Sequence, residues 1–153
     1  MSTKASVASL SSHLGYWLRY VSNHVSQAFA RKLEDRGVTV AEWVMLRELY
    51  DEESLGPSRL AERLGLTRGA ISKLADRLII KGLIARTEGS DDLRTHSLAL
   101  TLTGEGMVPE LAGLADLNDA EFFADLSTED RVMLERVLKG IIARRGLKSI
   151  PTH

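Results

Sequence analysis

Apolar side chains recur at three- and four-residue steps over the first part of the chain. Leu10, Leu14, Trp17, Val21, Val25 and Ala28 share one helical face, which predicts a helix from about residue 10 to residue 35. Gly37 ends it by permitting a left-handed turn. Thr39 and Glu42 have the spacing of a capping box, in which each side chain satisfies an orphan backbone N–H of the other. A second helix therefore opens there, with Trp43, Leu46 and Tyr50 along one face. Residues 51–56 read as a polar loop. Pro57 suits the first turn of a third helix, where its missing N–H costs nothing, and Gly65 stops that helix. Only Leu66 and Thr67 intervene before a fourth helix, which runs to Gly82. Two helices joined by so tight a glycine-containing turn read as a helix-turn-helix.

The period then changes from 3.6 to two. His96, Leu98, Leu100 and Leu102 fall on one face, with Ser97, Ala99 and Thr101 on the other, as in a half-buried strand. With LIARTE before it and the turn GSDDLR between, this predicts a β-hairpin behind the helix pair, a wing. After Thr103 the pattern is helical again to about Ala124, with Pro109 placed to bend it early. Ser127 caps a last helix, with Asp130 at its third position. Val132, Leu134, Val137, Leu138, Ile141 and Ile142 give that helix a broad apolar face. The fold expected is mainly α with a small β-hairpin: a winged helix-turn-helix over residues 38–101, flanked by long helices in 10–36 and 102–146.

Composition narrows the function classes. The absence of cysteine excludes disulfides and thiolate metal sites, and is compatible with a reducing cytoplasm, the expected location. The start of the chain lacks the apolar core of a signal peptide, and no apolar run approaches the roughly 18 residues of a membrane helix. No membrane partner is expected. The net charge of −1 hides an uneven distribution: +3 over residues 57–101, −8 over 102–135 and +5 over 136–153. A basic middle can bind an anion locally without making the whole chain basic. Ser-His-Asp spacing, a phosphate-cradling loop, a dinucleotide fingerprint and a metal cluster are all missing, so no catalytic residue, metal or cofactor is expected and the chain is read as a non-enzyme.

The fourth helix carries the candidate chemistry. Ile71, Leu74, Ala75 and Leu78 form an inward stripe facing Leu60 and Leu64 of the third helix. Arg68, Gly69, Ser72, Lys73, Asp76 and Arg77 occupy the opposite arc. A helix fits the major groove of double-stranded DNA, and its first turn reaches base edges. Thr67 caps this helix and offers a hydroxyl to a phosphate, and the free N–H groups add partial positive charge. Arg68 suits a bidentate contact to guanine, whereas Lys73 and Arg77 suit phosphates, which position without reading sequence. At the hairpin tip, Asp92 can hold Arg94 in a fixed pose suited to the narrow minor groove next door. The plainer readings are a solvated basic helix face and an ordinary surface ion pair, in a winged-helix module that binds protein rather than DNA.

These residues resemble a known family. LAERLGLTRGAISKLADRLIIKGLIAR is similar to the helix-turn-helix and first wing strand of the multiple-antibiotic-resistance regulator (MarR) family of bacterial transcription factors. DLRTHSLALTLTG resembles its wing signature, an Asp-x-Arg followed by a strand ending Leu-Thr-x-x-Gly, and VTVAEWVMLREL resembles its second helix. The resemblance runs from about residue 12 to residue 145. It implies a homodimer with interleaved first and last helices, acting as a repressor on pseudo-palindromic operators. Broad apolar faces on the terminal helices agree, since unpaired they would expose a patch soluble monomers rarely tolerate. Without cysteine the chain departs from the peroxide-sensing branch, and the scattered His13, His24, His96 and His153 depart from a zinc-sensing one. In the family, small aromatic acids often bind between the dimer helices and the winged domain. His13, Tyr16, Trp17, Tyr20 and His24 on the first helix, with Trp43 and Arg47 on the second, suit a phenolate or carboxylate effector. For most of them the alternative, packing in a dimer core, is the simpler reading.

Overall fold

The computed structural model describes residues 3–88 and 96–147. Six helices and one hairpin follow in the order α1 (Leu14–Glu34), α2 (Val40–Tyr50), α3 (Pro57–Leu64), α4 (Arg68–Ile80), β1 (Ile84–Glu88), β2 (His96–Leu100), α5 (Leu102–Phe123) and α6 (Thr128–Arg145). The winged helix-turn-helix is as expected, and α1, α5 and α6 flank it.

α1 begins four residues later than the apolar spacing predicts. A 3-10 turn covers Leu10–Ser12, and His13 is extended at φ −106°, ψ 129°. Serine hydroxyls offer the backbone local alternatives to a helix. Here Ser12 Oγ donates to the Ser9 carbonyl at 2.7 Å, and Trp17 Nε1 donates to the Ser11 carbonyl at 3.0 Å.

α2 opens on the expected capping box. The Glu42 amide donates to Thr39 Oγ1, and the Thr39 amide donates to Glu42 Oε1, both at 3.1 Å. Its buried face is not the expected one. Glu42, Met45, Leu46 and Leu49 are buried, Trp43 is half-buried, and Tyr50 is exposed. The stripe 42, 45, 46, 49 has ideal helical spacing, but it includes a carboxylate, and only a partner distant in sequence makes that burial tolerable.

Gly65 closes α3 in the left-handed conformation (φ 66°), and Thr67 Oγ1 then accepts from the Ala70 amide at 3.1 Å to cap α4. β1 and β2 pair antiparallel, with Ile84 opposite Leu100 and Glu88 opposite His96. Leu55, read from sequence as loop, exchanges both backbone hydrogen bonds with Leu98 at 2.7 and 2.9 Å. One residue of strand pairing is too short to leave a periodic trace. Leu102 does not continue β2. The strand ends at Leu100, Thr101 Oγ1 accepts from the Gly104 amide at 3.1 Å to start α5, and Leu102 lies exposed in the first helical turn. The same hydroxyl donates to the Gly82 carbonyl at 2.7 Å. Gly104 sits so close to Leu83 that a Cβ there would collide with the Leu83 carbonyl. Pro109 lies inside α5 without ending it.

The core gathers Leu33, Met45, Leu46, Leu49, Leu60, Ile71, Leu78, Leu98, Val108 and Leu111 from α1 to α5. α6 contributes nothing to it. None of its residues is buried, and Val132, Leu134, Val137, Leu138, Ile141 and Ile142 are all 37–57% exposed.

Candidate nucleic-acid interface

The roll of α4 about its axis is set by its buried stripe. Ile71, Leu74, Ala75 and Leu78 join the core with Leu60 and Leu64, so Arg68, Gly69, Ser72, Lys73, Asp76 and Arg77 all emerge on the exposed side. The structure thus brings the predicted α4 residues onto one surface, with Thr67 at its leading edge. A Cβ at Gly69 would meet only the Thr67 hydroxyl, 3.9 Å away. Internal packing does not require glycine there; its bare backbone leaves the first turn open to close approach. Asp92 and Arg94 lie outside the described residues.

Two ion pairs hold α4 in place, and the sequence reading found neither. Arg86 Nη2 of β1 donates to Asp76 Oδ1 at 2.7 Å, tying wing to helix. At the far end, Lys81 Nζ donates to both Glu42 oxygens at 2.7 and 2.9 Å and to the Gly37 carbonyl at 2.7 Å. Burial opposes ionisation of Glu42, yet hydrogen bonds from Lys81 and Thr39 outweigh it and hold the carboxyl below its ordinary range. The partners are separated by 10 and 39 residues, which no local period reveals. Alternation in β1 was the available signal for Arg86: it shares a strand face with the buried Ile84. Between the start of α3, α4 and this face of the hairpin lies a cleft of about 290 Å³.

The aromatic set is divided. Tyr16 stacks edge-on against Trp17 (centroids 5.1 Å apart) and Tyr20 (6.2 Å), and Tyr20 meets His24 at 5.1 Å, forming a ladder along α1. His13 stands at the N-cap of that helix. Trp43 instead meets Phe29 edge-on at 6.4 Å, and Arg47 is held by Asp51 at 2.9 Å and lies over the Tyr50 ring. None of the described aromatic pairs or hydrogen bonds joins Trp43 or Arg47 to the ladder. Among the described residues no cluster suits a metal ion, and no helix is long and apolar enough to cross a membrane.

The model of the MarR family matches residues 38–96, the span from the start of α2 to the wing. A putative transcriptional regulatory protein for the hcr operon of Thauera aromatica is 30% identical over 132 residues, covering 86% of this chain and 80% of that protein. The chain belongs to the MarR family. It is thus a DNA-binding transcriptional regulator with a winged helix-turn-helix. The HTH-type transcriptional repressor MdtR of Bacillus subtilis is 29% identical over 120 residues, covering 78% of this MarR-family chain and 77% of that one. Among solved structures, the S. aureus MepR–DNA complex superposes with a TM-score of 0.79 at 25% identity, over 86% of this chain and 98% of that one.

Proposed function

We propose that this MarR-family regulator acts as a homodimer that reads a pseudo-palindromic operator and represses from it. Residues 38–101 form the DNA-binding unit, and 10–36 with 102–146 form the dimerisation helices. What carries the reading is the exposed arc of Arg68, Lys73 and Arg77 on a helix whose other side is locked into the core. A helix so presented offers its first turn to base edges in the major groove, with Arg68 as reader and Thr67, Gly69 and Ser72 close to the backbone. Lys73 and Arg77 neutralise phosphates. Asp92 and Arg94 of the wing signature are assigned to the same interface on the sequence alone, with Arg94 as the minor-groove contact. Exposure of every apolar residue on α6, together with Leu14, Leu18 and Val21 of α1, supports pairing of two chains through these helices. The relative named as a repressor supports the direction of regulation.

Selection of bound sequences from random duplex DNA tests this directly. A two-fold motif with half-sites about 10–10.5 base pairs apart is expected. No enrichment at low ionic strength, or a monomer by light scattering at micromolar concentration, overturns it. The ladder of Tyr16, Trp17 and Tyr20, with His13, Trp43 and Arg47, is the region proposed to take a small aromatic effector. Such a ligand relieves repression only if it favours one half-site spacing over another. Phenolic acids titrated against the operator complex should weaken it about 5- to 150-fold; unchanged affinity for all of them ends that part of the reading.

A further inference from the structure

The cleft beneath the wing holds two basic side chains that the helix-centred reading leaves unused. Alternation in the hairpin puts Arg86 and His96 on the same face as the buried Ile84 and Leu98. That face turns toward α3 and α4, so where the apolar core ends the strands point Arg86 and His96 into the cleft. Arg68 and Ser72 of α4 line its opposite side, and Ser58 of α3 lines its floor. No side chain caps α3, since Gly56 precedes it, which leaves amides of its first turn free to donate. Three cation-forming groups from three elements therefore converge on one small space at the edge of the α4 arc. One of them already has a carboxylate partner: Asp76 accepts from Arg86 Nη2 at 2.7 Å.

We propose that this cleft seats one phosphodiester group of the bound duplex, with Arg86 and His96 as its ligands, and that Asp76 limits how tightly it is held. The inference rests on the DNA-binding reading above. A guanidinium has five N–H donors in a fixed fork, so the bond to Asp76 leaves others for phosphate oxygens. Histidine has at least one ring N–H to donate, whether neutral or charged. The cleft is built by core packing, so its donors are placed before DNA arrives and little ordering is needed on binding. Asp76 competes for the same guanidinium, which keeps a full positive charge from sitting uncompensated when the protein is free. A backbone contact of this kind adds affinity for every sequence alike and contributes to register without choosing bases.

The experiment measures duplex affinity against salt for the full-length wild type and for Arg86→Gln, His96→Gln and Asp76→Asn, on operator and on random DNA. Arg86→Gln should weaken both duplexes and lower the log–log salt slope by about one. His96→Gln should weaken both by a smaller factor. Asp76→Asn should strengthen both, by about two- to fivefold. One methylphosphonate per half-site, stepped along the backbone, should identify a single position at which the variants become equal to wild type. Thermal unfolding of each variant keeps loss of fold separate from loss of contact. An unchanged slope in folded Arg86→Gln overturns the inference. So does Asp76→Asn weakening DNA as much as Arg86→Gln, which would make the pair only a strap between wing and helix. Inorganic phosphate titrated without DNA distinguishes the source: amide shifts saturating at low millimolar phosphate, with unaltered salt slopes, would assign the cleft to a free anion instead. Wild-type protein that ignores every duplex overturns the DNA reading itself, and is recognised before any variant is compared.

Discussion

Gly104 and Glu42 are the residues at which the fold allows least choice. Alanine normally improves a helix interior by about 1 kcal/mol over glycine. At position 104 the new Cβ would strike the Leu83 carbonyl, a backbone group that cannot rotate away. Overpacking of this kind costs about 1–3 kcal/mol or more, so the clash wins. Gly104→Ala should lower Tm by several degrees in calorimetry, whereas Gly113→Ala, which meets nothing within 4 Å, should not. Glu42 makes a prediction with a sign. Its folded pKa lies below its ordinary value. Its contribution to stability is therefore present above the unfolded pKa, near 4.3, and is lost as pH falls through the folded value. Lys81→Met leaves a buried carboxylate with only its Thr39 contacts, costing about 1–3 kcal/mol at pH 7. In that variant Glu42 takes up a proton more readily, so the Tm deficit against wild type should shrink between pH 7 and pH 4. A constant deficit would mean that lost packing by the lysine stem, not charge, is responsible.

At the scale of elements, the proposed function divides the work of α4 by position. Arg68→Ala should relax base preference and leave affinity for random DNA nearly intact, because its proposed contact is worth about 1–3 kcal/mol of discrimination. Lys73→Ala should weaken all duplexes equally and reduce the salt slope by about one. Equal losses on operator and random DNA for Arg68→Ala would remove it as a reader. This helix was legible in the sequence because everything that defines it is local: the stripe of Ile71, Leu74, Ala75 and Leu78, the cap at Thr67 and the stops at Gly65 and Gly82. α1 was misplaced at its start because serine hydroxyls outcompete the apolar period over a few residues. Spacing puts Tyr50 on the face of Trp43 and Leu46 although the buried stripe runs through Glu42, Met45 and Leu49, and alternation puts Leu102 in the strand because it does not reveal that Thr101 already caps a helix. The cleft and both ion pairs escaped because each joins positions far apart in the chain. What local pattern determines can be read in order along the sequence; what closes a loop between distant elements cannot.

The whole molecule is a small closed core carrying long helices that are apolar on the outside. No residue of α6 is buried within its own chain, and the proposed pairing with a second chain would supply the burial that stabilises such a helix. Leu138→Asp, on the apolar side of α6, should shift the protein toward monomer in sedimentation and abolish operator binding while leaving the core of α2 to α4 folded. A dimer that tolerates this change would place the contact elsewhere. The join between Thr101 and Gly82 has a mechanical outcome. The hydroxyl that starts α5 also grips the residue just past α4, and Gly104 presses the same junction closed. α4 and α5 therefore share a tightly packed junction. Since α4 is about 20 Å long by its rise per residue, a tilt of about 5° at that junction displaces its far end by nearly 2 Å. In the proposed operator complex, lever geometry of this kind would turn a small strain among the long helices into a mismatch of rung against groove.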